Sequence, residues 1–184
     1  MNVRTLCLAI LCFEEATGYE IRKMSMDGKY SHFVDASFGS IYPALNRLEV
    51  DGLVTFREIV EPGKPGRKVY SITPEGRDHF LQALHEPPSK DIFRSEFLMI
   101  AMCAEFLPRD VVVKALDVRA EQLRAEIDLL RGFADDEKAT QGIRWAATYG
   151  MDCMSNSLNY LKEKRGELEA LAGSKTLAQP EAAE

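Results

Sequence analysis

Apolar residues recur along this chain in two rhythms, and each change of rhythm marks an element. The run Leu6 to Phe13 predicts a buried helix over 3–13. Thr17-Gly18-Tyr19-Glu20 has the spacing of a capping box. In it Thr17 accepts from the N–H of residue 20 while Glu20 reaches back to residue 17. A second helix is expected over 18–27, carrying Tyr19, Ile21 and Met24. Residues 27–38 are polar and glycine-containing and read as a loop. In the third predicted helix, Ser37 to Asp51, the apolar residues Ile41, Ala44, Leu45 and Leu48 form one stripe at helical spacing. Pro43 belongs near its start, which puts the cap at Ser37 or Gly39, and Gly52 stops it.

The period then shortens. Leu53–Val60 and Arg67–Ile72 are rich in β-branched and aromatic residues, and the turn-forming stretch Glu61-Pro62-Gly63-Lys64-Pro65-Gly66 joins them. They read as a β-hairpin. Thr73-Pro74 opens a helix running to about Leu84, with Thr as cap and Pro in the first turn. Glu86-Pro87-Pro88-Ser89 is the clearest linker, so a domain boundary is placed after residue 86.

Beyond it the pattern is helical throughout. One helix is expected over 90–105 and a second from Pro108 until Gly132 to Asp136 breaks it. A third is expected over 137–172, with Asp135-Asp136-Glu137 as its charged start. Leu116, Ala120, Leu123, Ile127 and Leu130 alternate spacings of four and three residues, as do Ala147, Met151, Met154, Leu158 and Leu161. Both are coiled-coil-like seams. Gly173 ends the last helix, and 174–184 reads as a disordered tail. The expected fold is therefore mainly α: a winged helix-turn-helix with its β-hairpin in 1–86 and a long-helix dimerisation domain in 87–173.

Three helices followed by a hairpin is the order of a winged helix-turn-helix, whose third helix enters the major groove of duplex DNA. With Ile41, Ala44, Leu45 and Leu48 inward, Ser40, Pro43, Asn46 and Arg47 point outward. Tyr42 lies at the flank, turned either to DNA or against the wing. Hydroxyl, amide and guanidinium groups are those that reach base edges and phosphates. Ser37, Ser40, Tyr42, Asn46 and Arg47 are the candidate reading residues. Lys64, Arg67 and Lys68 on the wing are candidate phosphate contacts, whereas Tyr70 reads as core.

Charge qualifies this picture. The 184 residues carry a net charge of −6, and residues 1–86 are close to neutral, with 10 Lys/Arg against 12 Asp/Glu. Any basic contact face must therefore be local. Between residues 57 and 77, Arg57, Lys64, Arg67, Lys68 and Arg77 stand against Glu58, Glu61 and Glu75.

No phosphate-binding glycine loop, nucleophile elbow or paired carboxylate cluster appears, and His32, His79 and His85 lack metal spacing. Neither an enzyme nor a bound cofactor or metal is expected. Cys7, Cys12, Cys103 and Cys153 form no Cys-x-x-Cys pair and read as buried free thiols of a reducing cytoplasm. The apolar run after Arg4 imitates an export signal, but it is short and Glu14 and Glu15 end it. No stretch approaches the roughly 20 apolar residues of a membrane span. Trp145, Tyr149, Cys153 and Tyr160 lie along the last helix, where the aromatic rings either pack a dimer or line a cavity for a planar ligand. Phe93, Phe97 and Phe106 read as core.

Three stretches carry a family resemblance. They are Thr17-Gly18-Tyr19-Glu20-Ile21; Gly39-Ser40-Ile41-Tyr42-Pro43-Ala44-Leu45-Asn46-Arg47-Leu48-Glu49 with Gly52-Leu53-Val54; and Gly66-Arg67-Lys68-Val69-Tyr70-Ser71-Ile72-Thr73-Pro74-Glu75-Gly76-Arg77. In order and spacing, over residues 3 to 84, they resemble the PadR family of bacterial transcriptional regulators. Arg94-Ser95-Glu96-Phe97 after the linker resembles the AphA-like, virulence-activator branch. The resemblance implies a homodimer whose C-terminal helices wrap each other, double-stranded DNA as partner and, in some relatives, a small-molecule effector. The acidic balance motivates the rival reading, a winged-helix protein-interaction module without DNA binding.

Overall fold

The computed structural model describes residues 2–26, 30, 33, 39–60 and 66–175. The chain divides into two compact units, Met1–Asp91 and Ile92–Glu184.

In the first unit, α1 (Val3–Phe13) is apolar on most of its circumference and buries Leu6, Cys7, Leu8, Ile10 and Leu11. Asn2 caps it by accepting from the Thr5 N–H. Strand β1 (Ala16–Thr17) leads into α2 (Gly18–Met26). The capping box forms as expected: Thr17 Oγ1 accepts from the Glu20 N–H at 3.2 Å, and Glu20 Oε2 accepts from the Thr17 N–H at 2.7 Å. Helix α3 (Ile41–Val50) buries Ile41, Ala44, Leu45 and Leu48. It ends in a glycine cap, with Gly52 at φ +71°. There Leu53 N–H donates to Leu48 O and Gly52 N–H to Glu49 O, so these two carbonyls of the last turn are satisfied without water.

Strands β2 (Val54–Ile59) and β3 (Arg67–Ile72) pair antiparallel, from Val54 opposite Ile72 to Ile59 opposite Arg67. The sheet order is β1-β3-β2. β1 is an addition to the expected hairpin: Ala16 pairs with Tyr70 and Thr17 with Val69, a long-range match that two residues cannot announce. In α4 (Pro74–Ala83), Thr73 caps by accepting from the Gly76 N–H. Val54, Tyr70 and Ala16 close the sheet onto the buried faces of α1, α2 and α3.

Several boundaries differ from expectation. The third helix starts at Ile41 with Ser40 at its cap position, not Ser37 or Gly39. The Ser40 carbonyl accepts from the Ala44 N–H; Ser37 lies outside the described residues. Tyr19 is exposed: the buried line of α2 runs Gly18, Ile21, Ser25, and a residue two positions from Ile21 falls on the opposite side of a helix.

In the second unit, α5 (Glu96–Met102) is shorter than the expected 90–105, because Ser95 accepts from the Leu98 N–H and so starts the helix late. A 3-10 turn at Ala104–Phe106 follows. Helix α6 (Arg109–Asp135) runs through Gly132; a single glycine costs only about 1 kcal/mol in a helix this long. Helix α7 (Gln141–Leu171) starts at Thr140, whose hydroxyl accepts from the Ile143 N–H. Asp135-Asp136-Glu137 is thus not its first turn; Asp136 Oδ1 instead accepts from the Lys138 N–H in the connection. The two seams face each other within this one chain: Leu123, Ile127 and Leu158 are buried together against Ala120, Met151, Met154 and Leu161. The pairing is antiparallel, with Arg165 on Asp117 near one end and Gly150 against Leu130 near the other. Arg165 also pairs with Glu169, at 2.6 Å.

Phe97 packs beside Ala104, Val112 and Leu116, but Phe93 and Phe106 are exposed. Among the cysteines, Cys7 is buried, Cys12 and Cys103 are half-buried and Cys153 is exposed, one position off the α7 seam. Burial pushes the Cys7 thiol up to about 12, leaving it inert. At the start of the expected tail, Lys175 is held by its N–H on Glu105 O at 2.9 Å; residues 176–184 lie outside the described residues.

Two outcomes test this packing. A Cβ at Gly76 would sit 2.0 Å from the Leu53 carbonyl oxygen, a backbone atom with nowhere to go. Gly76→Ala is expected to destabilise the N-terminal unit by about 3 kcal/mol, the upper end for overpacking, read as a lower urea midpoint. The Thr17 N–H, then the Thr17 hydroxyl, hold the Glu20 carboxyl below its usual range. Its contribution is therefore present above the ordinary glutamate value of about 4.3 and is lost as pH falls through the lower folded value. Glu20→Gln should flatten that acid limb of the urea midpoint against pH.

Candidate nucleic-acid interface

The face of α3 opposite its buried stripe presents Tyr42, Pro43, Asn46 and Arg47, all exposed. Because Ile41, Leu45 and Leu48 are fully buried, the helix cannot roll, and the outward set is held in one orientation. Of the candidate reading residues the structure therefore brings Tyr42, Asn46 and Arg47 onto one short helix, with Ser40 at its cap.

Tyr42 is the best positioned of them. It is 46% exposed, and its ring edge lies against Gly18, the first residue of α2. Its hydroxyl also bears on Tyr70, whose own hydroxyl is raised above its ordinary value by burial first, then by Glu49 and Tyr42. Tyr70 is buried in the core, as expected.

The hairpin divides its charges between its two faces. Lys68 lies on the side shared by Phe56 and Tyr70, half-buried, with Nζ 3.6 Å from the Phe56 ring centroid. Arg67 is exposed at the start of β3, and its positive charge helps hold the Glu20 carboxyl low. Lys64 lies outside the described residues. Arg57 is engaged within the protein: its Nη1 pairs with Glu15 Oε2. Glu15 is held below the ordinary range by the Ser71 hydroxyl first and Arg57 second. Arg77 likewise turns inward and donates to the Cys12 carbonyl at 3.3 Å. Among the described cations of this region, Arg57 and Arg77 are thus hydrogen-bonded to partners within the protein.

Sequence reasoning did not separate Tyr19 from the buried line of α2. Tyr19 is exposed next to Gly18, and the Arg22 guanidinium lies 5.3 Å over its ring. The signal was present, since helical period from Ile21 already turns Tyr19 outward.

Trp145 and Tyr149 are both on the surface of α7, 71% and 62% exposed, with rings stacked 5.7 Å apart and 6° from parallel. Neither ring lines the groove between α5 and α6 or the one between α6 and α7. A groove of about 310 Å³ lies between α5 and α6 and is lined by Phe93, Arg94, Phe97, Ile100, Val118 and Arg119 among others. Among the described residues no cluster of His, Cys, Asp and Glu is arranged to hold a metal ion, and no helix is long and apolar enough to cross a membrane.

Comparison with known proteins agrees with this geometry. Residues 7–82 match the family model described as the transcriptional regulator PadR-like family. The chain is 32% identical to the PadR-like transcriptional regulator BC1756 of Bacillus cereus, over 90% of this chain and 94% of that one, and the two structures superpose with a TM-score of 0.76. It is 26% identical to the negative transcriptional regulator PadR of Bacillus subtilis over 68% of this chain and 69% of that protein. That PadR is known in crystal structures with operator DNA (TM-score 0.71, 21% identity, covering 90% of this chain and 98% of that one) and with p-coumaric acid (TM-score 0.64, 21% identity, covering 91% and 99%). The virulence activator AphA of Vibrio cholerae shares the fold, with a TM-score of 0.54 at 23% identity over 93% of this chain and all of AphA. With its helix order, its hairpin and an identity that extends across both units, the chain belongs to the PadR-like family of transcriptional regulators.

Proposed function

We propose that this regulator binds duplex DNA as a homodimer on a roughly palindromic operator. In each copy α3 reads the major groove and the β2–β3 hairpin contacts the flanking backbone. The observation that carries this reading is the outward face of α3. A helix whose inner stripe is wholly buried presents Tyr42, Asn46 and Arg47 together, the donor and acceptor types that discriminate base edges and hold phosphates. Ser40 at the helix start, Arg67 and Lys68 on β3, and Ser37 and Lys64 from the sequence complete the contact set. In this reading residues 1–86 bind DNA, 87–173 dimerise and 174–184 form a tail. Two third helices about one duplex turn, roughly 34 Å, apart require an operator of matching symmetry. The family relationship supports the reading, and PadR of Bacillus subtilis is known with operator DNA.

The dimer rests on surface chemistry. Trp145, Tyr149 and Tyr160 leave apolar rings on the outside of α7, and Met99 and Met102 do so on α5. An exposed aromatic face of this kind marks an interface. A small-molecule effector is the further partner, since PadR is known with p-coumaric acid. The α5–α6 groove and the Trp145–Tyr149 stack are the two places where it is sought.

Genomic DNA fragments selected by the full chain supply the test duplex. Tyr42→Ala and Arg47→Ala are each expected to weaken its binding by about tenfold, in keeping with the 1–3 kcal/mol of a base or phosphate contact. Arg67→Ala should reduce the log–log salt slope by about 0.9 for each phosphate that the arginine neutralises. Failure to enrich any duplex, or binding insensitive to salt, would instead favour a protein-interaction module. Light scattering is expected to give twice the chain mass of 20.7 kDa. Trp145→Ala with Tyr149→Ala should shift the protein towards one chain without loss of helix by circular dichroism.

A further inference from the structure

Gly18 is a glycine without a conformational reason to be one. It opens α2 in ordinary helical geometry, and the described glycines with positive φ are Gly52 and Gly173. In a helix glycine is the less stable choice relative to alanine. Space supplies the reason. A Cβ built at Gly18 would lie 2.7 Å from Tyr42 Cε1, 3.3 Å from Cδ1 and 3.4 Å from Cζ, well inside the 3.5–4.0 Å of an ordinary carbon contact. Gly18 is itself buried, so the ring of Tyr42 covers it.

We propose that Gly18 is a positioning residue for DNA recognition: the missing side chain leaves a seat at the start of α2 in which the Tyr42 ring rests, and that seat aims the Tyr42 hydroxyl from α3. The inference depends on the reading of Tyr42 as a DNA contact given above. It adds what places the ring, and it assigns a recognition role to a residue with no group of its own to contact DNA.

The contrast with Gly76 shows why the two glycines separate folding from function. At Gly76 the obstacle is the Leu53 carbonyl, held in the backbone between α3 and β2. At Gly18 the obstacle is the far edge of a half-exposed side chain, which is able to rotate about its own χ angles into solvent. A methyl group at residue 18 therefore displaces the ring rather than the fold. Alanine also gains helix propensity at that site, so the global stability is expected to hold while affinity for DNA falls.

The experiment is a double-mutant cycle on the full chain. Its probe is the duplex that the wild-type protein enriches from genomic fragments, and the readouts are the dissociation constant, the urea midpoint and the Tyr42 side-chain NMR shifts of the DNA-free protein. Gly18→Ala is expected to weaken binding about tenfold, to move the Tyr42 ring resonances and to leave the urea midpoint unchanged. In the Tyr42→Ala background the same substitution should weaken binding no further, because the ring it acts through is gone. An equal loss of affinity in both backgrounds overturns the proposal, as does an unchanged affinity for Gly18→Ala while Tyr42→Ala binds weakly. A loss of affinity accompanied by a matching drop in the urea midpoint assigns Gly18 a structural role and overturns it too. If Tyr42→Ala itself binds as wild type, the DNA role of Tyr42 fails and the positioning role with it, whether or not the ring resonances move.

Discussion

Nearly complete burial of α1 is the constraint on which the N-terminal unit rests. Leu6, Cys7 and Ile10 are fully inaccessible, and Leu8 and Leu11 nearly so, so the helix is hydrophobic over most of its circumference and needs partners on several sides. Those partners are α2, α3, α4 and β3, and each turns its apolar face towards it. An amphipathic helix packed on such a post has one stable rotation about its axis. The orientation of the exposed face of α3 is thus a consequence of hydrophobic burial, with each fully buried aliphatic side chain contributing about 1.5–3 kcal/mol.

Against that rigid background the proposed recognition surface is sparse. The unit has nearly equal numbers of positive and negative residues, and several of its arginines are turned to the protein itself. Arg4 is bonded to Asp51, Arg57 to Glu15 and Arg77 to the Cys12 carbonyl. The exposed hydrogen-bonding side chains of α3 are one tyrosine, one asparagine and one arginine. Affinity built on so few groups depends on how well each is placed, because a displaced group no longer reaches its base or phosphate and no broad electrostatic field compensates. Placement by packing, as of Tyr42 on Gly18, therefore has more leverage here than it would on a strongly basic domain.

The C-terminal unit revises the meaning of its heptad-like spacing. Seams in Leu116 to Leu130 and Ala147 to Leu161 promise helix pairing, and pairing is what they do, but with each other. A 4–3 spacing states that a helix has a partner and leaves open whose helix that is. The charge pairs Arg165–Asp117 and Arg109–Glu169 then bridge the two helices at the surface. What remains outside, the stacked Trp145 and Tyr149 above all, is a second face of α7 that carries exposed aromatic rings.

The sequence by itself determined what depends on neighbours a few residues away. The inward stripe of α3, the Thr17–Glu20 capping box, the Thr73-Pro74 helix start, the Gly52 stop and the β2–β3 hairpin are all local matters of turn, cap and period, and were legible as such. Where local signals competed, boundaries moved: Ser95 and Thr140 captured helix starts that charge and composition had placed earlier. The tertiary structure alone decided the contacts between distant segments, because no short-range rule encodes them. It paired Ala16–Thr17 with Val69–Tyr70, turned Arg57 to Glu15 and Lys68 onto Phe56, and closed the two C-terminal seams on one another. It also laid Tyr42 across Gly18. Each of these is a choice among several partners of suitable chemistry, and only the packing of the whole chain brings one of them within reach.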